Sequence, residues 1–142
     1  MDATGGYVPP GAVPGEPPGD TGVSIYVCHT AVGNDVIPGK LLPAYGCYYG
    51  NGDAEALAGD YQVLVPVGCS IGWRAAPGGV VPANVFACGQ DSQGVLYSCR
   101  VEQPSTYIGE LGHMGWGTNH QCVYSYAGSS LSTDVFDVLT LN

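Results

Sequence analysis

A chain of 142 residues and 14.6 kDa holds one ordinary domain or two very small ones, which excludes most large cofactor enzymes. Hydrophobic residues make up 45%, enough for a core without metal or disulfide staples, while Gly 23 and Pro 11 imply turns throughout and little long helix. With Lys+Arg 3, Asp+Glu 12 and a net charge of -9, the chain is unsuited to nucleic acid or anionic membrane surfaces, both of which need clustered cations.

The opening MDATGGYVPP carries Asp2 and neither a basic nor an apolar leader region, so the reading is a soluble protein, cytoplasmic or exported by a leaderless route. No bilayer span is evident, because the longest stretch without a charged side chain, Leu111 to Thr133, is rich in Gly, Ser and Asn. Short runs of Val, Ile and Tyr bounded by Gly, Pro, Asn and Asp then predict strands. The clearest are Ser24 to Thr30 and Tyr61 to Val67, followed by Val95 to Val101, Gln121 to Tyr126 and Val135 to Leu141. Between the first two lies Pro38-Gly39-Lys40, read as a tight turn. Only AEALAG around Glu55 has the composition for a turn or two of helix, so the fold class is all β. The six cysteines form no CxxC pair, and free buried thiols are the expectation, although their pairing stays open.

The two halves can be laid over each other. GGYVP at Gly5 matches GGVVP at Gly78, and DTGVSIYVCHT from Asp20 lies over DSQGVLYSCRV from Asp91, setting Tyr26 on Tyr97 and Cys28 on Cys99. IPGKL at Ile37 meets YIGEL at Tyr107, CYYG at Cys47 meets CVYS at Cys122, and DYQVLV at Asp60 meets VFDVLT at Val135. This predicts two pseudo-symmetric, diverged repeats, 1–69 and 70–142, sharing or abutting a core and joined near Val67 to Ser70.

The motifs GGYVPPGAV, SIYVCHT, DVIPGKLLPAYGCYYGNGDAE and DYQVLV, with WRAAPGGVVPANV from Trp73 in the second half, resemble the DM-nine repeat family, which includes natterin-like proteins. A two-repeat chain with no pore-forming module is similar to the bivalve mannose-specific lectins of that family. The resemblance implies an all-β protomer, a homodimer, one sugar pocket per intact repeat, and recognition of mannose or high-mannose glycans on microbial surfaces. Carried over by position, the sugar-contacting pair is Asp20 and Lys40, with Glu16 as a possible substitute for Asp20.

A vicinal diol needs an acceptor and a donor converging on it, which a carboxylate and an ammonium supply. Asp20 accepts, Lys40 donates, and Asp35 is expected to orient the ammonium or touch the sugar. Lys40 as a loosely paired surface lysine is the bland alternative, and it would hold without the family resemblance. In the second half Glu110 is aligned with Lys40 and expected to face Asp91, so Asp91 and Glu110 form a possible degenerate second site without an ammonium donor. Tyr26 and Tyr97 read as structural, whereas Tyr45, Tyr48 and Tyr49 could line a pocket.

Other constellations carry less. His113, His120 and Cys122 match no zinc spacing, and Asp53 with Glu55 lacks the alternating oxygen ligands of a calcium loop. No GxSxG, HExxH or P-loop occurs, and Cys28 or Cys47 cannot readily use His29 as a base, since strand neighbours point to opposite faces. The chain therefore reads as non-enzymatic and without cofactor or metal: a lectin, or alternatively a protein-interaction or scaffold module of the same fold that has lost sugar binding.

Overall fold

β-branched and aromatic residues in short runs favour extended backbone, and so do glycines wherever a neighbouring strand comes too close for a side chain. The computed structural model describes residues 1–15, 24–51, 54–102, 109–126 and 128–142. Its strands are β1 (Asp2–Thr4), β2 (Tyr26–Val32), β3 (Asp35–Leu42), β4 (Gly46–Asn51), β5 (Ala54–Ala58), β6 (Asp60–Val63) and β7 (Ile71–Ala75). They continue with β8 (Ala87–Asp91), β9 (Gly94–Glu102), β10 (Gly109–Gly115), β11 (Cys122–Tyr126), β12 (Ser129–Thr133) and β13 (Asp137–Leu141). The fold is all β, as the composition predicted, and among the described residues no helix is long and apolar enough to cross a membrane.

The strands form one sheet in the order β1-β6-β2-β3-β4-β5-β12-β11-β10-β9-β13-β7, with β8 off the path against β3 and β9. Read from its two ends, the path passes through matching positions. β1-β6-β2-β3-β4-β5 from one end corresponds to β7-β13-β9-β10-β11-β12 from the other, and the two meet at the Ser129–Ala54 pair. The registers agree as well. Cys28 lies opposite Gly39 and Val63, as Cys99 lies opposite Gly112 and Val138.

Two local expectations are corrected. Pro38-Gly39-Lys40 is not a turn but the middle of β3, which pairs along its length with β2. The other edge of β3 passes from β8 at Val36 to β4 at Lys40, and Pro38 sits in the gap, where a missing N–H costs no ladder bond. AEALAG is not helical either. Five of its residues pair with β4, and a segment this short cannot nucleate a helix against that ladder.

The cysteine expectation is also overturned. Cys28 of β2 bonds to Cys47 of β4, and Cys99 of β9 to Cys122 of β11, leaving Cys69 and Cys88 free. Each bridge spans the strand between its partners, β3 or β10. The Cα separations are 6.1 Å and 5.9 Å, where two flat strand spacings would give roughly 9.6 Å, so the sheet folds over at both central strands. Glycine is required at the fold. A methyl at Gly39 would overlap the Tyr48 carbonyl, and one at Gly112 the Val123 carbonyl. Closing loops of 19 and 23 residues, each bridge stabilises the fold by about 3 kcal/mol.

Three apolar clusters fill the interior. Cys28, Leu41, Cys47, Tyr61 and Val63 belong to the first half, and Val101, Met114, Tyr124, Phe136 and Val138 to the second. The third is composite: Val13, Ile25 and Val27 pack with Cys88, Leu111 and Leu139. Trp73 adds a polar tie between the halves, donating its Nε1–H to the Pro14 carbonyl at 3.1 Å. The Arg100 guanidinium lies 5.0 Å from the Trp73 ring centre and pairs with Asp137 at 2.7 Å.

Candidate functional site

Lys40 reaches the interior because β3 is covered on both faces; the residue is 9% exposed. On β3 it stands opposite Val27 of β2 and Tyr48 of β4, and its stem spans the fold toward the second half. The ammonium donates to Glu110 Oε2 at 2.6 Å and to the Ser125 carbonyl at 2.7 Å, while Glu55 Oε2 lies 3.5 Å away. Four strands supply the cluster: β3 and β5 from the first half, β10 and β11 from the second.

The electrostatics are those of one cation between two carboxylates. Burial pushes the Glu110 carboxyl above the usual range, Lys40 pulls it back, and Glu55 adds to the upward push. Polar capacity remains unused. Glu55 Oε2 and Ser125 Oγ are both buried, and neither has a hydrogen-bond partner among the described residues. Groups of this kind are ordinarily paired with protein, water or ligand.

The sequence-predicted residues are distributed differently from expectation. Asp20, and with it Glu16, lies outside the described residues. Asp35 opens β3, five positions before Lys40; it is roughly 16 Å away along the strand and on the opposite face, so the structure does not bring the two together. Asp91 and Glu110 do not face each other. Glu110 pairs in register with Val101 and Asp91 with Gly94, about 23 Å apart along β9. Glu110 instead meets Lys40, the residue with which it was aligned.

That alignment is itself shifted. Gly39 lies opposite Cys28 and Gly112 opposite Cys99, so PGKL matches LGHM, and His113 takes the position that corresponds to Lys40. Glycine at both positions was the available signal. His113 is largely buried, and desolvation lowers its pKa to about 4, with Asp91 pulling the other way. Among the described residues its Nδ1 has no hydrogen-bond partner, nor has the hydroxyl of Ser98 directly opposite on β9. The first half thus holds an ionic cluster at this position, the second a neutral imidazole.

Sequence reasoning missed Glu55 as a member of the site and read Glu110 as a site without a cation. Tyr48 and Tyr49 are half-buried, and Tyr45 is exposed. Among the described residues, no three His, Cys, Asp or Glu side chains converge in a way that could hold a metal ion. The cluster brings two carboxylates and one ammonium together in a single buried space.

No curated protein matches the chain. A solved structure, the crystal structure of the nematode sperm cell motility protein MFP2B, is similar over 100% of this chain and 43% of that one, with TM-score 0.70 and 12% identity. At that identity the likeness concerns the fold, and the chain spans less than half of the other's length. Residues 19–114 match the DM9 repeat, more than half of the sequence, and the chain therefore belongs to the DM9 repeat family.

Proposed function

We propose that this chain is a non-catalytic carbohydrate-binding module that takes mannose or a high-mannose glycan at the Lys40 cluster, the specificity that resemblance to the family's lectins implies. In this reading it consists of two diverged copies of one unit, 1–69 and 70–142, a view supported by the matching strand orders and registers of the halves. The observation that carries the proposal is the unpaired polar capacity beside the ammonium. Glu55 Oε2, 3.5 Å from Lys40 Nζ, and the hydroxyl of Ser125, whose carbonyl the ammonium meets, are buried without hydrogen-bond partners among the described residues. A vicinal diol would complete them, one hydroxyl donating to Glu55 and the other accepting from the ammonium or from the Ser125 hydroxyl. An epimer with a misdirected hydroxyl would leave these groups unpaired, which is the source of selectivity. Asp20 is the proposed additional acceptor. In a homodimer, two such sites would bridge glycans on a microbial surface and raise avidity.

A second reading, a protein-interaction scaffold without sugar binding, is favoured by a specific observation: the ammonium already has two protein acceptors at 2.6 and 2.7 Å. Calorimetry with methyl α-mannopyranoside separates the two. Binding by the wild type that loses one sugar per chain in Asp20→Asn and in Lys40→Met/Glu110→Gln is the expected result. Undiminished binding by the double variant would move the sugar elsewhere, and no binding by the wild type, with a blank glycan array, would leave the scaffold reading.

A further inference from the structure

The turn that joins β10 to β11 is unusual on three counts. Asn119 and His120 are consecutive non-glycine residues in left-handed backbone, with φ of 55° and 59°, a conformation that costs free energy at each. The turn is nevertheless pinned. The Thr118 hydroxyl accepts from the Gly115 N–H at 3.0 Å and lies within 2.9 Å of the Gly115 carbonyl and 2.6 Å of the Gln121 carbonyl. Backbone N–H groups of Asn119, His120 and Gln121 each close a bond of 3.1 Å inside the turn, and a methyl at Gly79 would press on the His120 carbonyl.

What this rigid turn presents is a tryptophan in water. Trp116 is 67% exposed, and His120 meets it edge-on at 5.1 Å, fixing the indole while most of its surface stays open. It borders a groove of about 460 Å³ floored by Tyr97 and Met114 and walled by Val80 and the Gly78-Gly79 backbone. That volume is in the range of small-molecule sites, about 300–1,000 Å³. The first half has the same device. Ala44 has a φ of 71°, Gly6 packs against its backbone, and Tyr45 is left 60% exposed.

From this arrangement we infer that the Trp116 turn is a second saccharide site, a stacking platform for a neutral pyranose ring, separate from the Lys40 cluster; it rests on the carbohydrate-binding reading above. No Lys or Arg lines the groove, and the Asp91 carboxylate lies against Gly117 behind the turn, which disfavours an anion. A pyranose offers what the groove lacks a partner for: an apolar C–H face for the indole, with hydroxyls at the rim for the His120 ring and the glycine backbone. Holding strained backbone in order to expose an apolar ring destabilises the free protein twice over, and a bound ring would offset the second cost.

Mannotriose is the probe, read by tryptophan emission and by calorimetry on the wild type, Trp116→Ala and Lys40→Met/Glu110→Gln. A saturable blue shift is expected in the wild type and in the Lys40 double variant and none in Trp116→Ala, in which one of the two calorimetric sites is weakened. Removing the ring should weaken binding at this site by roughly three- to tenfold or more. Wild-type calorimetric binding without any emission change, unaltered in Trp116→Ala, overturns the platform and leaves the Lys40 reading intact. An emission shift that follows protein concentration rather than sugar overturns it in favour of a contact between copies of the chain. Silence in both measurements removes both readings.

Discussion

Replacing Lys40 with Met tests what the buried cluster does for the fold. Methionine keeps the length and apolar stem but removes the ammonium, leaving Glu110, whose side chain is 4% exposed, facing Glu55 with no cation between them. Breaking a buried pair from one side costs about 3–5 kcal/mol, because the stranded charge has lost its water as well as its partner. With an unfolding entropy of about 2.1 cal/mol/K per residue, a chain of 142 residues loses roughly 10–17 °C in Tm for that penalty. The double variant Lys40→Met/Glu110→Gln should recover more than half of the loss, since a neutral amide replaces the stranded carboxylate. Differential scanning calorimetry at pH 7 on the wild type, both single variants and the double completes a cycle in which the coupling energy is read directly. A single-variant shift below about 2 °C, or strictly additive losses in the cycle, would show that the ammonium and the carboxylate do not depend on each other, and the clasp between the halves would have to be abandoned.

Three further outcomes follow from the geometry. His113, lowered from 6.5 to about 4, binds its proton more weakly in the folded chain than in the unfolded one, so its contribution is full above pH 6.5 and is lost as pH falls toward 4, by up to about 3 kcal/mol. Glu110, raised from 4.5 by burial, acts in the opposite sense, favouring the fold at low pH and fading as pH climbs through its folded value. Urea titrations of His113→Leu should therefore show a flatter acid limb than the wild type between pH 6.5 and 4, and an unchanged slope would mean that the ring is solvated. Gly112→Ala drives a methyl into the Val123 carbonyl and should lower stability by about 1–3 kcal/mol or more through forced strand displacement; a urea midpoint equal to wild type would count against the close approach at β10. Among the thiols, Cys69 is exposed while burial pushes Cys88 to about 11, so iodoacetamide at pH 8 should add one label to the native protein and two after unfolding with the disulfides intact. Mass spectrometry that finds two labels on the native protein would refute the burial of Cys88.

Strand runs with a strong apolar signature were legible from residues alone. Val95 to Val101 became β9, Gln121 to Tyr126 became β11, and Ser24 to Thr30 became β2 with its ends displaced by two residues. Tyr61 to Val67 shrank to Asp60–Val63, and Val135 to Leu141 to Asp137–Leu141. Among the strands that escaped notice, β3 with its PGK core and β10 as GELGHMG owe their extended backbone to neighbours rather than to propensity. Their glycines admit an adjacent carbonyl, and Pro38 falls where the pairing partner changes. Aligning the halves by residue similarity alone set Glu110 on Lys40, three positions away from the match that Gly39 and Gly112 make through their pairing with Cys28 and Cys99.

Composition and pattern thus determined that the chain is all β, strongly acidic, and equipped with a single lysine. Only the tertiary structure decided what that lysine touches. Glu110 lies seventy positions away and Ser125 eighty-five, and the disulfides link strands that flank a third. Each of these meetings exists because the sheet folds over at β3 and β10. Local sequence specifies which residues extend; the long-range pairing of strands sets which side chains then share the same dry space, and that sharing decides whether a charge is a solvated ornament or part of a site.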